Sequence, residues 1–160
     1  MPEDKQYSLP HLKALVERMG KPFDGLLGVI APEVRPLVTI EQFFKGANGF
    51  ASLWSNSGGA PAGLNEITFW QTLRDRDDVW DVLFSITQLE FMKEPFDAPW
   101  AWVHADHVVI ITSAKPGDVL SWFPEGLVPE FVNDQWSEDG EFGERVFVPS
   151  TMKPLWFWYD

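Results

Sequence analysis

Trp80-Asp81-Val82-Leu83-Phe84-Ser85-Ile86-Thr87 is the stretch on which the fold turns. Trp80, Val82, Phe84 and Ile86 fall at every second position. Alternation of this kind lays one apolar row along one face of a sheet. The spacing predicts a strand over 79–88 with Trp80 in its core row. Just upstream, Leu64, Ile67, Trp70 and Leu73 recur at steps of three, with Phe69 widening the stripe. That is the period of an amphipathic helix. The run Arg74-Asp75-Arg76-Asp77-Asp78 separates helix from strand. Downstream, Pro95 and Pro99 break regular structure. A second strand over 102–112 then carries the continuous apolar run Val108 to Ile111, the pattern of a strand buried on both faces or centrally placed.

Further outward, Lys115-Pro116-Gly117-Asp118 opens a short helix to Phe123, which Pro124 ends. Leu127 to Trp136 reads as a further turn of helix. Val146 to Val148 and Leu155 to Tyr159 are strand candidates. In the latter, Trp156 and Trp158 alternate with Phe157 and Tyr159, so one pair is expected to point outward. Toward the N-terminus, Phe50 to Ser55 is a short strand candidate, followed by the glycine-rich loop 56–63. Thr39 is placed to cap a short helix, Ile40 to Lys45. Leu9, Leu12, Leu15, Val16 and Met19 define one helical face, and a Pro/Gly-rich arm follows over 20–36.

The order from 50 onward is βαββαβ. Its usual closed form is an α+β, ferredoxin-like sandwich: an antiparallel sheet with helices on one face. The single apolar row in the 80s strand fits an open second face, with the N-terminal helix packed on that face or at an edge; a differently connected α+β sheet is the alternative, since local spacing does not fix the place of the last strand. One domain over 1–160 is expected, divided into an N-terminal helical arm (1–37) and an acidic core (38–160).

Certain stretches carry a resemblance: Val38 to Gly46, Ser52 to Asn56, the helix with Phe69 and Leu73, Asp77 to Ile86, and Ile110-Ile111-Thr112-Ser113-Ala114 leading to Trp122. Over roughly 38–125 the chain resembles a bacterial family of unknown function. The shared motifs are structural. The resemblance therefore implies a domain and supplies no activity.

Charge limits the partners. The 160 residues hold 24 Asp+Glu against 12 Lys+Arg, a formal charge of −12, with nine Trp and no Cys. Residues 1–46 balance six acids with six bases, so the whole excess lies in 47–160. Such a balance argues against phosphate-backbone binding, which needs Lys and Arg to displace counterions. Without cysteine, thiol nucleophiles and thiolate zinc sites are excluded. No apolar run approaches the ~20 residues that span a bilayer. The N-terminus lacks the pattern of a secretory signal. A cytoplasmic protein without membrane contact is expected.

No motif of a phosphate loop, nucleophile elbow or cofactor site is present, so no cofactor and no catalytic residue is assigned. His104-Ala105-Asp106-His107 gathers metal-ligand types, but a two-histidine pair needs further ligands; His104 and His107 are weak candidates at most. Asp75, Asp77, Asp78 and Asp81 cluster at a helix–strand junction, where a solvated turn is the plain reading. Seven acids precede the first base between Glu125 and Glu144. Trp136 lies among them. The expected binding set is therefore Trp136 with Glu130, Asp134, Glu138 and Asp139, together with Trp100 and Trp102 beside the proline break. Aromatic and acidic groups together suit a basic protein partner. The expectation is a non-enzymatic interaction protein, of the immunity or inhibitor kind. The alternatives are a small-molecule or carbohydrate binding domain and a metal-assisted or carboxylate-dependent hydrolase. A sheet edge also offers a route to a homo-oligomer.

Overall fold

Two long antiparallel strands form the frame, and both run further than the alternation alone defines. A computed structural model describes residues 17–18, 28–30, 35–44, 51–52, 64–92, 100–133 and 146–159; at 28–30, 51–52, 64–66, 88–92, 100–103, 126 and 131 it describes the backbone alone. Along the chain these residues form β1 (Gly28–Ile30), β2 (Leu37–Thr39), α1 (Ile40–Phe44), β3 (Ala51–Ser52), α2 (Leu64–Arg74), β4 (Val79–Met92), β5 (Trp100–Thr112), α3 (Pro116–Leu120), a 3-10 turn (Glu125–Leu127), β6 (Phe131–Asn133) and β7 (Lys153–Trp158). The strands make one sheet in the order β1-β4-β5-β7-β6, with β2 also on β4 and β3 also on β5. Only the β3–β5 pair is parallel. The fold is α+β.

The neighbour of the last strand departs from the ferredoxin-like order, which sets it beside the opening strand. Here β3 pairs β5 at Val103 and His104, while β7 pairs β5 from His107 to Thr112. Residues Val108 to Ile111 are all buried. Their backbone groups need partners on both edges, because an unpaired buried N–H or C=O costs about as much as a lost hydrogen bond. β4 supplies one edge and β7 the other.

α1, α2 and α3 contribute to one face. Ile40, Phe43 and Phe44 of α1, Trp70 and Leu73 of α2 and Val119 of α3 join Val82, Phe84, Ile86, Val108, Ile110 and Phe157 in one core. Phe84 is its hub: it stacks on Phe43 at 4.4 Å and meets Phe44 and Trp70 edge-on at 5.3 and 5.4 Å. α1 starts where expected, by a reciprocal cap. Thr39 Oγ1 accepts from Gln42 N–H at 3.2 Å, and Gln42 Oε1 accepts from Thr39 N–H at 2.9 Å.

The opposite face is covered, against the expectation of an open one. Leu37, Leu83, Val109, Ile111 and Trp156 form a second core there, and Val146, Val148 and Met152 pack over it. Residues 146–149 have no strand pairing, so they serve as a lid on this face instead of the expected strand. Neither C-terminal aromatic pair points outward. Trp156 enters the second core while Phe157 and Tyr159 enter the first. Leu127 to Trp136 is not helical throughout. Pro129 forces Val128 into an extended conformation, with ψ 124, and β6 follows. The arm is not purely a connector, since its Gly28–Ile30 pairs β4 at Leu89–Phe91. Of the expected N-terminal helix, Glu17 and Arg18 are described and helical, and Arg18 donates to Leu37 O at 3.0 Å.

The β4–β5 register breaks three times. Trp80 is an extra residue between Val79 and Asp81, Asp106 is one opposite the step from Ser85 to Ile86, and Thr87 is one opposite Ala105 and His104. The first bulge corrects the reading of Trp80. Val79 takes the inward position, at 7% exposure, and Trp80 is left 55% exposed. A bulge inserts one residue and re-aims its side chain, which breaks period-two reasoning locally.

Phe84→Ala should lower stability by about 3–5 kcal/mol, whereas Trp80→Ala should stay within about 0.5 kcal/mol of the parent. Urea unfolding followed by tryptophan fluorescence measures both. Equal losses at the two positions would contradict the bulge assignment.

Candidate functional site

Two constellations arise where β4 and β5 leave regular register. The first is polar and buried. A residue inserted at Asp106 sets the Asp106 and His107 side chains side by side instead of on opposite faces. Asp106 Oδ1 lies 2.7 Å from His107 Nδ1. A carboxylate only accepts, so His107 Nδ1 carries the hydrogen. Arg35 Nη1 adds a positive neighbour 3.6 Å from Asp106 Oδ1. Both members of the dyad are about nine-tenths buried, and a charge at that depth requires such compensation. Ser85 sits directly opposite His107 in the ladder and is fully buried, and its Oγ has no hydrogen-bond partner among the described residues. The His107 ring meets Trp156 edge-on at 6.0 Å.

Serine, histidine and aspartate thus share one sheet face, the residue types of acyl transfer. Geometry and access decide against that chemistry. No bond joins Ser85 Oγ to His107, and a fully buried hydroxyl in mid-strand presents nothing to a substrate. The cluster orients His107 and anchors Arg35 over β5.

The second constellation is exposed. Trp80 and Phe147, 55% and 72% exposed, contact edge-to-face at 6.0 Å. Phe147 sits between Val146 and Val148, whose side chains turn onto the second core. The acidic turn 75–78 leads directly into Trp80. Within it Asp75 and Asp77 are exposed and lack ion pairs among the described residues. Asp78 is closed off by Arg76, whose Nε and Nη2 donate at 2.9 and 3.2 Å. These hydrogen bonds hold the Asp78 carboxyl below its ordinary range. The Arg76 guanidinium also lies 3.6 Å over the Trp122 ring, which is only partly buried. Asp81, next to Trp80, behaves oppositely. Burial raises its pKa above the ordinary 3.8, and the charge of Glu41 adds to this; the Val82 N–H and Arg74 pull the other way without cancelling it. For Glu41 burial also pulls upward, but the hydrogen bond and charge of Arg74 outweigh it and the net shift is downward.

The residues expected to bind a partner are distributed differently. Asp134, Trp136, Glu138 and Asp139 lie outside the described residues. Trp100 and Trp102 are placed as β5 backbone opposite Met92 and Glu90. Glu130 is exposed, with its N–H donating to Trp158 O at 2.9 Å. Of the metal candidates, His107 gives Nδ1 to Asp106. Among the described residues no group of three or more metal-ligating side chains comes together. Reading the sequence by period missed Trp80 as a surface residue and passed over Phe147. The Val-Phe-Val alternation at 146–148 carried a usable signal for Phe147, since its neighbours face inward.

A family model described as "Uncharacterized protein YfbO family" matches residues 12–157. The chain belongs to the YfbO family. One relative, "Uncharacterized protein YfbO" of Escherichia coli (strain K12), is 35% identical over 126 residues, 79% of this chain and 84% of the relative. The family is bacterial and of unknown function, and its match extends well beyond the 38–125 stretch that carries the sequence resemblance. No solved structure matches. Among the described residues no helix is long and apolar enough to cross a membrane.

Asp81→Asn tests the raised affinity of the Asp81 carboxyl for its proton. The folded state holds the Asp81 proton more tightly than the unfolded state, so stability falls as pH rises from about 3.8 through the raised folded value. The cost is largest once the pH has passed the raised folded value. Asn removes the charge and keeps an oxygen for the Val82 N–H, now 2.8 Å from Asp81 Oδ1. The variant should therefore melt higher than the parent at pH 7. The gain should vanish below pH 3.8. A lower melting temperature at pH 7 would contradict this.

Proposed function

We propose that the protein is a non-enzymatic binding protein that takes a basic protein partner on an acidic, aromatic surface, in the manner of an immunity or inhibitor protein. The observation that carries this reading is the Trp80–Phe147 pair. Large aromatics left in water beside a well-packed core are a cost unless something covers them, and such residues dominate binding hot spots. Their neighbours set the sign of the partner. Asp75 and Asp77 are uncompensated among the described residues, and the domain that bears them carries the entire −12 excess. Lys and Arg side chains of a partner would pair with these carboxylates and stack on the indole face. Complementary charge of this kind accelerates encounter and weakens as salt rises.

A Lys/Arg-rich peptide serves as the probe, titrated into the full chain at low and high salt. Binding should saturate and weaken at least about tenfold at high salt. The double variant W80A/F147A should lose about tenfold or more in affinity at low salt while keeping its far-UV circular dichroism. Parent-like binding by the double variant would overturn the reading.

A further inference from the structure

The other face of the sheet carries a feature of opposite sign. A concavity of about 160 Å³ opens where β5 ends and β7 begins, lined by Thr112, Ser113, Lys115, Thr151, Lys153 and Leu155, among others. Thr112 and Lys153 are ladder partners, as are Ile110 and Leu155. Ile110 and Leu155 belong to the first core, so the concavity lies on the helix-bearing face, away from the lid over the second core.

Its lining includes two lysines and no acidic residue. That is against the trend of the chain, where 47–160 carries eighteen acids and six bases. Neither lysine forms an ion pair among the described residues, and both are exposed. The nearby acids do not neutralise them. Asp78 reaches this region through its backbone carbonyl, which accepts from Thr112 Oγ1 and from Ser113 N–H, while its carboxylate is taken by Arg76. Asp118 is exposed on α3 and is not part of the lining.

The two lysines are placed by rigid neighbours. Thr112 Oγ1 donates to Asp78 O and accepts from Ala114 N–H at 3.0 Å. These two hydrogen bonds fix the turn at 113–114 that leads into Lys115, a residue of the lining. Lys153 is held by the ladder opposite Thr112. The hydroxyls of Ser113 and Thr151 have no protein hydrogen-bond partner among the described residues, so both are available as donors. Two lysines and the hydroxyl residues Ser113 and Thr151 lining one concavity, with no acidic residue in that lining, match a compact dianion better than a monovalent ion.

We propose that this concavity binds a phosphate group, free or as a monoester, between Lys115 and Lys153. The site is independent of the aromatic surface, so either assignment stands if the other fails. The test is a titration of the full chain, followed by amide chemical shifts, with inorganic phosphate, phenyl phosphate and acetate at matched ionic strength. Phosphate should shift Ser113, Lys115, Thr151 and Lys153 saturably, and acetate should not. A parallel response to phenyl phosphate extends the site to esters; a response to inorganic phosphate alone restricts it to the free ion. In K115Q/K153Q the apparent Kd should rise about tenfold or more, with Trp80 signals unchanged. A non-saturating shift, an equal response to acetate, or unchanged affinity in the double variant would overturn the site.

Discussion

Burial of β5 on both faces is the constraint from which the rest of the structure follows. Val108 and Ile110 face the helices, and Val109 and Ile111 face the second core. A strand so enclosed cannot leave either backbone edge to water, so both must be occupied by other strands. β4 and β7 fill that requirement. The chain then has to bring its C-terminus back beside β5, which recruits Trp156, Phe157 and Tyr159 into two cores at once. Tyr159 adds a tie of its own by donating to Leu127 O at 2.7 Å, and its N–H reaches Asp106 O.

Departures from ladder regularity place the polar and exposed groups. Within a regular ladder Trp80 would have joined Val82 and Phe84, and Asp106 would have pointed away from His107. One inserted residue at each position reverses both outcomes. The insertions at Asp106 and Thr87 lie on opposite strands and offset each other, so β4 and β5 resume pairing at Gln88 and His104. The buried dyad and the exposed aromatic pair thus have a common origin in residues inserted into the β4–β5 ladder.

What could be read from the sequence was what depends on period and punctuation. The strand through Val82, Phe84 and Ile86, the helix through Trp70 and Leu73, the two-sided burial of Val108 to Ile111 and the Thr39 cap all follow from local spacing. The α+β class follows from their order. The place of the last strand did not, because pairing between residues some 45 positions apart in the chain is a property of the closed sheet. The bulges were equally illegible, since no residue type marks them here. The lid over the second core was hidden because Val146 and Val148 pack without pairing. The Lys115–Lys153 concavity needed both the β5–β7 ladder and the fold of 113–115.

The central claim is that β5 is the enclosed middle strand, with β4 on one edge and β7 on the other. Native-state amide hydrogen exchange tests it most directly, because protection reports how completely a backbone group is shut from solvent. Val108, Val109, Ile110 and Ile111 should be among the slowest-exchanging amides in the chain, opening only with global unfolding. Exchange at these positions as fast as in the irregular segment 146–149 would place β5 at an edge and contradict the account.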